Sequence, residues 1–175
     1  MEQKNTKIIP FGPITENIKV PLNEALKSLN LLKSDLESKR TIVLEKSQSI
    51  KKALGQLEKS KVLKINSELI EHFSKTEENY SQITNLLAQE IGFHIDFYSK
   101  YFSEEHPKEI NLHQDDDANT FEEHVFKASK LLKKLSKKRQ RELDIIFSRY
   151  ENSLNSELRR LGNVQNYIKA QQKSA

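Results

Sequence analysis

A chain of 175 residues with 35% hydrophobic and 31% charged side chains, and only 4 glycines and 4 prolines, is too lean in turn formers for a doubly wound sheet or a β-sandwich. Its formal charge of +4 is too small to specify a nucleic-acid or membrane partner by itself, and the absence of cysteine excludes disulfides, thiolate catalysis and thiolate metal sites. No apolar run approaches the roughly 20 residues of a membrane span and the first twenty residues lack a secretory core, so a cytoplasmic protein is expected, at most peripheral to a membrane.

Residues 1–20 begin polar and continue as Ile8, Ile9, Pro10, Phe11, Gly12, Pro13 and Ile14. Two prolines and a glycine so close together oppose a helix, and an extended arm is predicted. Such an arm either folds back over helix ends or offers Ile8, Ile9 and Phe11 as a docking peptide for a groove on another chain.

Residues 21–106 are predicted to form a long helical hairpin. Pro21 suits the first position of a helix, where its missing N–H breaks no bond. Leu22, Leu29, Leu36, Val43, Ile50 and Leu57 then place an aliphatic side chain at every seventh position, the seam of a helix lying along another helix. The half-step positions are Ala25, Leu32, Lys39, Lys46 and Ala53, so the second edge of the seam is broken by charge. At roughly 1.5 Å per residue this helix would be on the order of 55 Å long.

Between Gln56 and Lys61 the register changes. Val62, Leu69, Thr76 and Ile83 resume the spacing, accompanied by Phe73, Tyr80, Leu87, His94 and Tyr101. A shift of this kind marks a tight turn between helices or a stutter in one rod, with Gly55 the one conventional punctuation nearby. The hairpin is preferred because a continuous rod would leave its seam without a partner. Phe93, Phe97, Tyr98, Tyr101 and Phe102 gather before Pro107 and are expected to form a packed end of the bundle where the arm or the third helix lands.

Residues 107–119 form an acidic linker with Glu109, Asp115, Asp116 and Asp117. Thr120 and Glu123 have the spacing of a reciprocal helix cap, and a third helix is predicted over 120–172. Its apolar face reads Phe121, Val125, Ala128, Leu132 and Leu135, then Leu143, Ile146, Phe147, Tyr150, Leu154, Leu161 and Ile168. Lys127, Lys130, Lys133, Lys134, Lys137, Lys138, Arg139 and Arg141 fall within one stretch that contains no acid. A basic helical segment of this kind is either a solvated face near the acidic linker or a site for an anionic partner: a membrane surface, nucleic acid or an acidic protein.

Enzymatic and metal templates are not met. The glycines are too dispersed for a phosphate-cradling loop, no serine lies in a Gly-x-Ser-x-Gly turn, and paired carboxylates fall on the linker or exposed faces. His106, His113, Asp115, Asp116, Asp117, Glu123 and His124 are rich in ligand atom types but match no established metal spacing. His94, in seam phase, reads as a histidine of the bundle. No catalytic residue, cofactor, metal or small-molecule substrate is expected.

Within the last helix, Phe147, Leu154, Glu157, Leu158 and Leu161 resemble a pattern in the amphiphysin-type BAR modules, which are built of three long helices. The likeness spans residues 147–161, and a BAR-type chain would continue well beyond Ala175. It implies binding to an anionic membrane surface. The residues themselves favour an all-α fold, an elongated antiparallel bundle or coiled coil of three long helices with an irregular N-terminal arm. The function expected of it is a non-enzymatic scaffold or adaptor that self-associates or joins a protein partner. Membrane binding, and behind it nucleic-acid binding, through 127–141 are the alternatives.

Overall fold

The computed structural model describes residues 7–9, 16–59, 67–101, 110–112 and 121–174, with side chains over 19–57, 71–100 and 122–174. In chain order the elements are strand β1 (Lys7–Ile9), helix α1 (Glu16–Lys59), helix α2 (Ser67–Tyr101), strand β2 (Ile110–Leu112) and helix α3 (Phe121–Lys173). The helices make a bundle. The two strands pair antiparallel, Lys7 opposite Leu112, Ile8 opposite Asn111 and Ile9 opposite Ile110.

One expectation changes along α1. The helix starts at Glu16, so Pro21 lies inside it. A proline there leaves the Asn17 carbonyl without its intrahelical N–H, but barely one turn precedes it, and the cost falls on an end that would fray in any case. At the far end, α1 runs through Gly55 to Lys59 and α2 begins at Ser67, so the two are separate helices.

The inward face of α2 belongs to the Phe73, Tyr80, Leu87 series, with Thr84 and Ile91 a half-step away. Ile83, expected in a seam, is 41% exposed; Val62 and the side chain of Leu69 lie outside the described residues. The large rings of Phe73 and Tyr80 bury more apolar surface than Thr76 and Ile83 could, which decides between two faces that share one spacing.

The chain divides into two compact units, Met1–Lys33 with Gln89–Gln140, and Ser34–Ala88 with Arg141–Ala175. In the first, Leu22, Ala25, Leu29 and Leu32 of α1, Ile91 of α2 and Val125, Ala128 and Leu132 of α3 are buried. Ser129 is buried among them and donates to the Val125 carbonyl at 2.7 Å, satisfying its hydroxyl within its own helix.

In the second unit the core is Val43, Ile50, Leu54 and Leu57 of α1, Phe73 and Tyr80 of α2, and Leu154, Leu161 and Ile168 of α3. Phe147 and Tyr150 pack against it, and the Tyr80 and Tyr150 rings meet edge to face at 4.9 Å. The second edge of the α1 seam moves here from Ala25 and Leu32 to Ser47 and Leu54, one residue later in each heptad. A helix of 3.6 residues per turn drifts in that direction against a strict seven-residue repeat.

Candidate interaction surfaces

All six seam residues, Leu22, Leu29, Leu36, Val43, Ile50 and Leu57, are buried within the single chain. They form part of the protein's own core. The polar residues that interrupt the seam are satisfied. Lys39 pairs with Asp35 at 2.6 Å and Asp144 at 3.5 Å, and Lys46 reaches Glu151 at 3.2 Å and donates to Asn155 at 2.8 Å. Across to α2, the Glu77 carboxylate accepts from Lys51 at 2.6 Å and Ser47 at 2.8 Å. Burial pushes this carboxyl up, but the two hydrogen bonds and the Lys51 charge outweigh it and hold the group below the usual carboxylate range.

The aromatic residues near the end of α2 behave differently from expectation. Phe93 and Phe97 are 63% and 43% exposed, with ring centroids 5.8 Å apart and planes 19° from parallel. Spaced four residues apart, they fall on one face of α2, turned away from the face that carries Ile91. Tyr98 is half-buried, stacked on His94 at 6.2 Å, and burial raises its hydroxyl pKa. Tyr98 and His94 are thus partly buried at this end of α2, while Phe93 and Phe97 keep much of their surface exposed, Phe97 meeting Tyr98 edge to face at 5.1 Å. The side chain of Tyr101 and all of Phe102 lie outside the described residues.

The basic segment is divided by the fold. Arg139 is drawn into the bundle, where it donates to Glu90 of α2 at 2.7 Å, and it fills the gap in the apolar stripe of α3 together with buried Ser136. Lys133 pairs with Glu24 of α1 at 3.1 Å, and Lys127 is partly buried. Lys130 is exposed and lies over the Phe126 ring at 4.5 Å. Lys134, Lys137, Lys138 and Arg141 are exposed and make no ion pair among the described residues. Phe126 and Leu131, at 50% and 62% exposed, share this surface. Leu131 points outward, whereas its neighbour Leu132 is buried.

Ile8 and Ile9 of the arm lie on β1, whose main chain pairs with Asn111 and Ile110 of the same chain. Phe11 and most of the acidic linker, including His106, His113 and Asp115 to Asp117, lie outside the described residues. Among the described residues no group of histidine and carboxylate side chains could hold a metal ion, and no helix is long and apolar enough to cross a membrane. No known protein family matches this chain, and no curated protein or solved structure matches it.

The residues missed by sequence reasoning are of two kinds. Ser47, Thr84, Ser129 and Ser136 are buried although polar. Their signal was position on an inward face: Thr84 and Ser129 bond back to their own helices, Thr84 to the Tyr80 carbonyl at 2.8 Å, whereas Ser47 donates across to Glu77. Phe93, Phe97, Phe126 and Leu131 are exposed although apolar, and only their phase opposite the buried stripe could have shown it.

Proposed function

We propose that this chain is a non-enzymatic helical scaffold or adaptor that works by presenting helix faces to a partner helix, the first occupant being a second copy of itself. In this reading α1 and α2 run antiparallel and α3 runs along α1. The side-chain pairs support it: Arg40 with Asn85 and Lys51 with Glu77 count in opposite directions, whereas Lys39 with Asp144 and Lys46 with Glu151 count together.

The observation that carries the proposal is the exposed, stacked pair Phe93 and Phe97. Two large rings stacked on one exposed helix face are suited to anchor a helix-to-helix contact, because aromatic side chains bury a large apolar area for little loss of side-chain freedom. Substituting them should leave the chain's own core intact, since neither belongs to its buried residues.

The test is sedimentation of the wild type against F93D/F97D, with helicity followed by circular dichroism. The wild type is expected to sediment as an oligomer and the double variant as a monomer of unchanged helicity. A wild-type chain that stays monomeric at high concentration, or a double variant that still assembles, overturns the proposal. Ile50→Asp would not serve, because Ile50 is fully buried in its own chain and a carboxylate there unfolds it.

A further inference from the structure

The outer face of α3 in the first unit carries a second surface, independent of whether the chain self-associates. At roughly 100° per residue, Phe126, Lys137, Lys130, Lys134, Lys138 and Leu131 fall in that order across an arc of about 140°. The buried residues Val125, Ala128, Ser129, Leu132 and Ser136 centre on the opposite side of the same helix. The fold therefore sorts the basic segment, drawing Arg139 inward to Glu90, pairing exposed Lys133 with Glu24 at the surface, and leaving Lys130, Lys134, Lys137 and Lys138 exposed between two exposed apolar side chains. Glu123, one turn before Phe126, is the acid that bounds this face at its N-terminal end.

We propose that this face binds an anionic phospholipid surface, the lysines resting among the headgroups and Phe126 and Leu131 entering the acyl boundary. Charge complementarity selects an anion, and the apolar flanks choose among anions. A helix lying in the plane of a membrane interface needs a cationic band with hydrophobic residues at its margins, and long lysine side chains can rise from such a helix to the headgroups. Nucleic acid would reward the lysines equally but has no place for Leu131, which cannot stack on a base. The attachment is peripheral, since no helix among the described residues can cross the bilayer.

The full-length chain is sedimented with vesicles of phosphatidylcholine containing phosphatidylserine, and with vesicles of phosphatidylcholine alone, at low and physiological salt. Binding is expected to the anionic vesicles only and to weaken with salt. K134Q/K138Q should lower affinity roughly thirtyfold, at about fivefold per lysine, and L131S roughly tenfold. All three positions are exposed, and unchanged helicity will separate lost binding from lost folding. Equal binding to neutral vesicles, or no binding to either, overturns the proposal. So does an L131S variant that binds as tightly as wild type, or retention on an oligonucleotide without vesicle binding, which would assign the lysines to nucleic acid.

Discussion

The ammonium group of Lys39 on α1 lies 3.5 Å from the carboxylate of Asp144 on α3, with the lysine side chain only 17% exposed. Asp35 receives it at 2.6 Å one turn back on α1, and the Phe147 ring lies beneath it at 5.4 Å. A charge that seemed to break the α1 seam is thus held by two carboxylates and an aromatic face.

Burial lowers the pKa of Lys39, but Asp35 and then Asp144 outweigh it and raise the group above its ordinary 10.5. A raised lysine contributes stability that is complete below its unfolded pKa and is lost as pH climbs through the folded value. Melting temperature is therefore expected to fall above about pH 10.5. Lys39→Met should reduce that fall while changing stability at neutral pH by no more than about 1 kcal/mol, since an apolar chain of similar length replaces a partly buried pair at little net cost. A loss of several kcal/mol at pH 7 would show that the pair is essential to the fold.

Tyr80 titrates in the neighbouring window. Burial is the main cause that pushes its hydroxyl up to about 12, opposed by Arg40 and reinforced by Asp35, Glu151 and Tyr150. Stability from the neutral phenol is complete below about pH 10 and lost between there and about 12. Its buried hydroxyl has no hydrogen-bond partner among the described residues. Tyr80→Phe should remove this part of the alkaline fall and leave stability at pH 7 unchanged or higher by about 1 kcal/mol. Urea unfolding checks it; a marked destabilisation would mean that the hydroxyl is bonded.

Glu77 governs the acid side. Its carboxyl is held low by Lys51 and Ser47 despite burial, so its contribution is complete above about pH 4.5 and disappears as pH falls through the lower folded value. Glu77→Gln is expected to lose about 1–2 kcal/mol at pH 7 and to flatten the acid limb below pH 4.5, as charge-assisted hydrogen bonds become neutral ones. Denaturation curves at several pH values for both proteins provide the measurement. Parallel acid limbs would place the acid sensitivity elsewhere.

The helical content and the α1 seam were legible because a seven-residue aliphatic repeat has one physical meaning. What remained illegible was the choice of face where two series share a spacing, as with Phe73 and Ile83 on α2. Burial was also hidden where charge and core interleave: Arg139 looked like one cation among eight, yet it reaches Glu90, 49 residues away, and is partly buried. The strand pair was invisible for the same reason, since Ile8 and Asn111 have nothing in common until the fold brings their main chains together. The lysine-rich face was half legible: its composition could be read directly, but not that Phe126 and Leu131 stand at its edges.

Gly55 in α1 and Gly162 in α3 give the last prediction. Gly55 looked like punctuation, yet the helix continues to Lys59, and Gly162 sits beside buried Leu161 well inside α3. A Cβ built at either position meets nothing within 4 Å beyond its own helical surroundings, so no neighbouring backbone or side chain requires a glycine there. What a glycine does in a helix interior is lose more backbone entropy on folding than alanine, at a cost of about 0.5–1 kcal/mol. Gly55→Ala and Gly162→Ala should therefore each stabilise the protein by that amount, raising the urea midpoint with no change in slope. A destabilised alanine variant at either site would mean that the helix must bend or open there, and would count against an uninterrupted α1 or α3.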